Sequence, residues 1–292
     1  MADTSTLPTA APTAPRKAGK PGTERIYRHR LVTRITHWIN VLCISLLLMS
    51  GAQIFNAHPR LYWGQYGADM DHAFFEMAAY DDGHGHLIGV TKLGPISLTT
   101  TGLLGASKDG GQVTNRGFPT WATLPADQDL ATGRRYHFFL AWLFVTNGLV
   151  YLLYGAISGH FRRDLAPRPG ELKVRHLAQD IWDHIRLKHP TGEEAKRYNT
   201  LQKLAYLGVV FAALPLMVLT GLTMSPGMDA IAPVLLSVFG GRQSARSIHF
   251  LTANLIVLFV LVHVVEVFIA GVWNEVRSMI TGWYVVKTGA PE

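Results

Sequence analysis

Long uncharged runs of apolar residues dominate the pattern along this chain. The four runs without Asp, Glu, Lys or Arg are 35–54, 137–158, 204–224 and 247–265. About twenty residues, each rising ~1.5 Å, cross a hydrocarbon layer about 30 Å thick. Four such runs are rare in a soluble core. The pattern therefore predicts an all-α membrane protein with spanning helices at roughly 31–54, 134–158, 199–224 and 245–270.

Between these spans the pattern is weaker. The long loop 55–133 is rich in glycine and aromatic residues, and we expect it to be partly folded because it is too long for a simple connection. The loop 159–198 contains a predicted amphipathic helix at 171–187. The apolar stretch 230–240 is too short to cross and is predicted to be re-entrant or interfacial. Pro215 predicts a kink in the third span.

The two ends of the chain are predicted to lie outside the spanning domain, 31–270. Residues 1–30 are rich in Pro, Ala and Thr with interspersed basic residues, and they predict a disordered cytoplasmic arm. They lack an apolar signal-peptide core, so we expect the first span to act as the insertion signal. Residues 271–292 predict a cytoplasmic interfacial tail anchored by Trp283 and Tyr284.

The net charge of +7 is explained by topology. Residues 1–34 hold seven Lys and Arg against two acids, and 159–198 hold nine against six, whereas 55–136 hold six against eight. Positive charge marks the cytoplasmic side of a membrane. We therefore expect a multi-pass protein of the bacterial inner membrane, surrounded by lipid, with both termini cytoplasmic and the 55–133 loop periplasmic. No nucleic-acid partner is expected.

Four histidines lie within the predicted spans. His249 and His263 are fourteen residues apart, which is about 40° short of four full helical turns. They therefore lie on one helix face at levels about 21 Å apart, too far to share one metal ion. His37 begins the first span at the cytoplasmic level, and His137 begins the second at the periplasmic level.

Matching the levels pairs His37 with His263 and His137 with His249. Ionisable residues inside a membrane are costly and usually functional. Two neutral imidazoles that face each other suit haem iron without an open coordination position, which serves electron transfer. The sequence thus predicts two b haems with these four axial ligands, although each histidine alone could instead form a hydrogen bond between helices. The single cysteine, Cys43, excludes a disulfide within the chain and a Cys-x-x-Cys-His haem attachment.

Two glycines are candidates for porphyrin contact. Gly51 lies fourteen residues after His37, and Gly148 lies eleven after His137, so each is on the predicted haem-facing side of its helix. Glycine lets a flat ring approach the backbone. Glycine is also frequent in spanning helices for other reasons.

Four arginines are candidate partners of the haem propionates. Arg34 and Arg246 each precede a predicted ligand by three residues, and Arg134 and Arg135 directly precede His137. Guanidinium groups bind carboxylates well. Ordinary anchoring at the membrane interface is the alternative.

The residues around these histidines resemble a known family. RLVTRITHWIN at 30–40, GRRYHFF at 133–139, IHF at 248–250 and LVHVVE at 261–266 resemble the bacterial cytochrome b561 and nickel–iron hydrogenase-type cytochrome b subunits. The resemblance covers about 25–290 and implies a four-helix bundle with two b haems. It implies the same four histidine ligands. The long outer loop is similar to that of members that partner periplasmic molybdenum enzymes.

The sequence therefore predicts a respiratory-chain electron-transfer subunit. We expect it to carry electrons between the quinone pool and a periplasmic redox subunit, such as a molybdenum oxidoreductase or a hydrogenase. One alternative is a stand-alone quinone-linked oxidoreductase that takes electrons from superoxide. Another is a haem-free transporter in which the histidines relay protons.

Overall fold

The computed structural model describes residues 22–168, 170–186 and 199–288. In these ranges four helices are long and apolar enough to cross a membrane, as predicted. They are Leu31–Asn56 (α1), Leu130–Ser158 (α2), Thr200–Thr223 and Arg242–Thr281. Asn147 of α2 is buried against α1, where its amide donates to the Thr36 carbonyl at 2.9 Å and to Asn40 Oδ1 at 2.8 Å. These bonds fix the two helices relative to each other.

The third long helix is irregular near Pro215. It consists of Thr200–Gly208 (α4), a π-helical turn at Val209–Ala213 and Leu214–Thr223 (α5). Proline lacks an N–H, and its ring crowds the carbonyl four residues earlier. A wider turn before the proline relieves this crowding, so the irregularity predicted at Pro215 takes the form of a π turn.

The last long helix, α8, is longer than the predicted span of 245–270. It runs from Arg242 to Thr281 and is interrupted at Gly271, whose φ of 107° suits glycine. Gly282 ends the helix with a φ of 88°. The predicted span ended at 270 because charged residues follow, and in the structure those residues lie on the last turns of α8.

Both ends of the described chain meet in a two-stranded antiparallel sheet. Gly22–Tyr27 (β1) pairs with Trp283–Thr288 (β8), in a register that places Tyr27 opposite Trp283. The prediction of a disordered arm over 1–30 is therefore wrong for 22–27, and its residues 1–21 lie outside the described part. We call this side of the molecule, where α1 begins and α2 ends, the tail end.

The opposite side carries strands, which corrects the all-α prediction. The region between α1 and α2 contains a four-stranded antiparallel sheet in chain order and a separate hairpin. The sheet strands are Arg60–Tyr62 (β2), Ala73–Asp81 (β3), Leu87–Leu93 (β4) and Ile96–Thr99 (β5). The hairpin strands are Ala106–Asp109 (β6) and Gln112–Asn115 (β7). We call this side the sheet end.

The sheet end has a core of its own that is continuous with the helices. Phe55 at the end of α1 packs with Leu61 and Met77, and Phe250 of α8 stacks on Phe55 with 4.7 Å between ring centroids. Ser247 of α8 donates to the Tyr62 carbonyl at 2.6 Å. The long loop is therefore a folded cap on the helices, as the sequence suggested in part.

The shorter helices fall near their predicted places. The amphipathic helix predicted at 171–187 is Val174–Ile185 (α3). The apolar stretch predicted at 230–240 lies in two short helices, Pro226–Ile231 (α6) and Val234–Phe239 (α7).

Candidate functional site

The structure brings the four predicted histidines together in two pairs. His37 of α1 faces His263 of α8 toward the tail end, with ring centroids 6.4 Å apart. His137 of α2 faces His249 of α8 toward the sheet end, with centroids 6.3 Å apart. All four rings are half-buried. The pairing that the charge distribution suggested is thus the pairing that the helices make.

The separation within each pair suits one metal ion between two rings. Two nitrogen–metal bonds of about 2 Å, plus about 1 Å from each nitrogen to its ring centre, give roughly 6 Å between centroids. Among the described residues, no group of three or more His, Cys, Asp or Glu side chains could hold a metal ion alone. Haem iron needs only two protein ligands because the porphyrin supplies the other four. The donor set therefore fits haem better than a bare metal ion.

A serine hydroxyl supports the His137 ring. Ser50 Oγ lies 3.1 Å from His137 Nδ1 and 2.8 Å from the Leu46 carbonyl oxygen. A hydroxyl has one hydrogen, and a carbonyl can only accept, so Ser50 donates to Leu46 and accepts from the Nδ1–H of His137. The proton on Nδ1 leaves Nε2 of the ring as the atom with a free lone pair for a metal.

A threonine supports the His249 ring in the same way. Thr220 Oγ1 lies 3.0 Å from His249 Nδ1 and donates to the Leu216 carbonyl at 2.7 Å. Ser50 and Thr220 are both fully buried, and each is followed by a glycine. The two rings of the sheet-end pair are therefore held by matching elements on two different helices.

Those two glycines lie beside the rings, and a Cβ at either position would be in ordinary van der Waals contact with the imidazole. A Cβ placed on Gly51 would lie 3.4 Å from His137 Cε1, and one on Gly221 would lie 3.5 Å from His249 Cε1. The helices thus approach the edges of the imidazoles at contact distance. Gly51 lies against the His137 ring, and the porphyrin contact predicted for it stays a prediction.

Open space does lie beside two other glycines. No heavy atom of the described residues lies within 4 Å of a Cβ placed on Gly148 of α2 or on Gly208 of α4. A flat group could approach the backbone at both positions. The porphyrin contact predicted at Gly148 is compatible with this space and stays a prediction.

The tail-end pair has a different surrounding. His37 Nδ1 is buried and has no hydrogen-bond partner among the described residues. The His263 ring stacks on Phe259 with an interplanar angle of 9°. The tail-end rings therefore lack the pair of hydroxyl acceptors that the sheet-end rings possess.

Two of the four predicted propionate partners bind backbone carbonyls. Arg34 donates to the Ile280 carbonyl at 2.9 Å. Arg246 donates to the carbonyls of His58 and Arg60, and so ties α8 to the sheet end. Arg134 and Arg135 are exposed, and Arg134 lies over the Phe138 ring. The propionate role stays a prediction for all four.

Facing imidazoles at two levels of an apolar helical bundle define a class of protein, a membrane cytochrome that binds haem b and transfers electrons. The comparison with family models agrees. The model described as prokaryotic cytochrome b561 matches residues 28–282, and the chain belongs to this family.

A curated relative covers most of the same region. It is named "Putative protein-methionine-sulfoxide reductase subunit YedZ1" and comes from Azospira oryzae. The two sequences are 27% identical over 234 residues, which are 80% of this chain and 86% of the relative. No solved structure matches the chain.

Sequence reasoning missed the hydroxyl supports of the ligands. The signal was present as a hydroxyl residue directly before a glycine in two apolar runs, Ser50–Gly51 and Thr220–Gly221. Such pairs are common in spanning helices, where small residues let helices approach each other. Only the structure shows that these two face the histidine rings.

Proposed function

We propose that this chain holds two b haems and carries electrons through the membrane between them. One haem lies between His37 and His263, and the other lies between His137 and His249. The observation that carries the proposal is the pair of centroid separations, 6.4 and 6.3 Å, at two levels of one helix. When bound, each haem would supply reversible one-electron chemistry, and the two imidazoles of its level would hold its iron.

The protein residues position the ligands and set the environment of each level. Ser50 and Thr220 fix the tautomer and rotation of the sheet-end rings, because each accepts from an Nδ1–H. A stronger acceptor on the outer nitrogen makes the imidazole a better electron donor. The hydroxyl supports are therefore expected to lower the reduction potential of the sheet-end level relative to the same site without them.

The chain is proposed to lie in the bacterial inner membrane with both termini in the cytoplasm. The charge distribution supports this orientation, since 159–198 and 1–34 are the basic segments. The sheet end then faces the periplasm. Quinone is the proposed membrane-soluble reactant, and Glu266, one turn beyond His263, is a candidate proton carrier for it.

A periplasmic redox subunit is the proposed partner at the sheet end. Met70 and Trp121 of this region are 74% and 72% exposed, and exposed apolar side chains of this size are typical of interaction surfaces. The name of the Azospira relative favours a protein-methionine-sulfoxide reductase as the kind of partner. A molybdenum oxidoreductase or a hydrogenase, which the sequence also suggested, is the alternative.

The other two functions considered from the sequence have less support. Membership of a cytochrome b561 family implies haem b, which argues against a haem-free transporter. The large folded cap at the sheet end favours a docked partner over a stand-alone superoxide-reactive enzyme.

Haem counting on the purified full chain tests the central proposal. We expect low-spin haem b bands and two haems per chain. His137→Ala and His249→Ala should each remove the same haem, and His37→Ala and His263→Ala should each remove the other. His86→Ala is the matched control, because the His86 side chain is 80% exposed.

The outcome that contradicts the proposal is a different grouping of the four variants. If His37→Ala and His249→Ala removed the same spectral component, the pairing would be wrong. A colourless protein with intact membrane insertion would remove the haem assignment altogether. The proposed partner is tested separately. A tagged chain is purified together with any bound redox subunit, and reoxidation of its haem by that subunit is measured.

A further inference from the structure

A cavity of about 520 Å³ lies at the tail end, and none of the four paired histidines lines it. It is bounded by the segment before α1, the first turn of α1, the end of α2 and the start of the third long helix. Its size is in the range of small-molecule sites. Because apolar helices begin and end here, the cavity lies where the hydrocarbon layer meets water.

The cavity wall is strongly basic. Its cationic members are Arg28, Arg30, Arg163, Arg168 and Lys203, and its acidic member among the described residues is Asp164. Several of these charges are balanced: Lys203 binds Glu171 at 2.8 Å, Arg28 lies 3.9 Å from Glu275, and His160 binds Asp164 at 2.6 Å. The remaining positive charge is concentrated on three arginines.

Two of those arginines have side chains available for a ligand. No hydrogen bond or ion pair of the Arg30 guanidinium occurs within the described ranges. The Arg168 backbone N–H donates to Glu171 at 3.0 Å, and its guanidinium lies within electrostatic reach of that carboxylate. Both arginines are exposed. Arg163 donates to the Ser158 carbonyl at the mouth of the same cavity. Guanidinium groups bind phosphate oxygens in a bidentate manner.

The Ser158 hydroxyl lies behind the cavity wall and is not part of its accessible surface. Ser158 Oγ is buried and has no hydrogen-bond partner in the described part of the chain. Ser158 ends α2, and other atoms of the residue line the cavity. Because this hydroxyl is closed to water, a ligand oxygen cannot reach it either, and the ligand contacts of this wall come from the guanidinium groups.

We propose that this cavity binds the phosphate of an anionic phospholipid headgroup. The charge of the wall selects an anion, and the guanidinium donors suit phosphate oxygens. The location at the ends of α1 and α2 favours a lipid over a soluble phosphate, because acyl chains can lie against the apolar helices while the headgroup enters the cavity. Basic pockets between spanning helices bind anionic lipid headgroups in this way.

The test is lipid retention by the full-length, haem-loaded chain in neutral detergent, followed by native mass spectrometry. The probes are dioleoyl phosphatidylglycerol and, as the zwitterionic comparison, dioleoyl phosphatidylcholine. The double variant Arg30→Gln/Arg168→Gln should bind phosphatidylglycerol about thirtyfold more weakly, by the usual contribution of two basic side chains. The matched control is Arg25→Gln/Arg162→Gln, which removes two exposed charges at the same end but outside the cavity.

A second variant keeps the charge unchanged. Arg30→Lys/Arg168→Lys should weaken phosphatidylglycerol binding by a few-fold, because an ammonium group cannot bind phosphate in a bidentate manner, while leaving the haem spectrum and thermal unfolding as in the unaltered chain. Equal weakening by the Arg25/Arg162 control would overturn the proposal, since it would indicate diffuse surface charge. So would equal retention of phosphatidylcholine by the unaltered chain.

Two further outcomes identify other occupants and would also overturn it. If millimolar inorganic phosphate displaced phosphatidylglycerol, the site would belong to a soluble anion. If the Arg30/Arg168 variant lost haem, and only haem-free protein bound the lipid, the cavity would hold haem propionates.

Discussion

Ser50 Oγ accepts from the Nδ1–H of His137 at 3.1 Å while its own hydrogen is committed to the Leu46 carbonyl. The hydroxyl is therefore oriented by its helix before any ligand binds. Thr220 stands in the same relation to His249. Both histidines of the sheet-end pair thus have a hydroxyl acceptor whose orientation is fixed by its own helix. His37 Nδ1 of the tail-end pair has no hydrogen-bond partner in the described ranges.

Removing a hydroxyl support should raise the reduction potential of the sheet-end haem. A hydrogen bond contributes about 0.5–1.5 kcal/mol, which corresponds to about 20–60 mV for one electron. Ser50→Ala and Thr220→Val should each produce a rise of this size in a potentiometric titration followed by visible spectra. Ser45→Ala is the control, since Ser45 is exposed on the same helix and donates to the Val41 carbonyl. A shift confined to the tail-end haem would contradict the assignment.

A large side chain at Gly148 should compete with the porphyrin. Nothing described lies within 4 Å of a Cβ placed there, so Gly148→Phe should not disturb helix packing in the haem-free protein. We expect normal membrane insertion together with loss of most of one haem, measured as haem per chain. Gly170→Phe serves as the comparison, because that glycine also has open space around it but lies in the loop after α2. Full haem content in Gly148→Phe would remove this glycine from the site.

The buried guanidinium of Arg116 should be required for the stability of the sheet end. Arg116 is 1% exposed, and it donates to Asp109 at 2.6 Å and to the Ala126 carbonyl at 2.8 Å. The Asp109 side chain is 30% exposed, so the main cost of removing the guanidinium is the buried carbonyl acceptors that lose their donor, about 1–3 kcal/mol. Arg116→Met should therefore make the 57–129 region much more sensitive to limited proteolysis.

The control for Arg116 is a similar pair at the surface. The Arg60 side chain is 46% exposed and lies 2.6 Å from Glu76. An exposed ion pair is worth less than about 1 kcal/mol, so Arg60→Gln should change the proteolysis rate little. Equal sensitivity of both variants would show that Arg116 has no special structural role.

Acidic pH should destabilise the tail end through His29. Burial, followed by the nearby charges of Arg28, His37, His160 and Arg34, lowers the pKa of His29 from 6.5 to about 4. In the unfolded chain His29 therefore becomes protonated below about pH 6.5, whereas in the folded chain it stays neutral down to about pH 4. Stability rises with pH through this window, and the loss on acidification approaches about 3 kcal/mol at pH 4.

The measurement is the unfolding temperature of the full chain between pH 7.5 and pH 4.5. In His29→Gln the decline toward acid should be shallower than in the unaltered chain. His86→Ala should leave the slope unchanged, because that side chain is mostly exposed. An identical slope in the His29 variant would assign the acid sensitivity to other groups.

The helical part of this fold and the pairing of the histidines could be predicted from the sequence. Apolar runs of about twenty residues give the spans, and the fourteen-residue spacing of His249 and His263 gives two levels. These signals are local to one helix. The pairing needed only the direction in which each helix runs.

The strands could not be predicted in the same way. Ala73–Asp81 and Leu87–Leu93 belong to a sheet that is partly exposed on both faces, so their alternation of apolar and polar residues is weak. Gly22–Tyr27 contains Glu24 and Arg25 and pairs with residues about 260 positions away, so it resembles a disordered arm when read alone. Long-range pairing of this kind leaves no periodic signal in either segment.

The pairing of β1 with β8 places the first and last described residues, Gly22 and Thr288, directly opposite each other. Four membrane-spanning helices and the pairing of β1 with β8 therefore both predict that these two strands lie on the same side of the membrane. A reporter fused before β1 and another fused after β8 must emerge in one compartment. Neither β1 nor β8 can therefore move to the other side of the membrane without breaking the pairing between them.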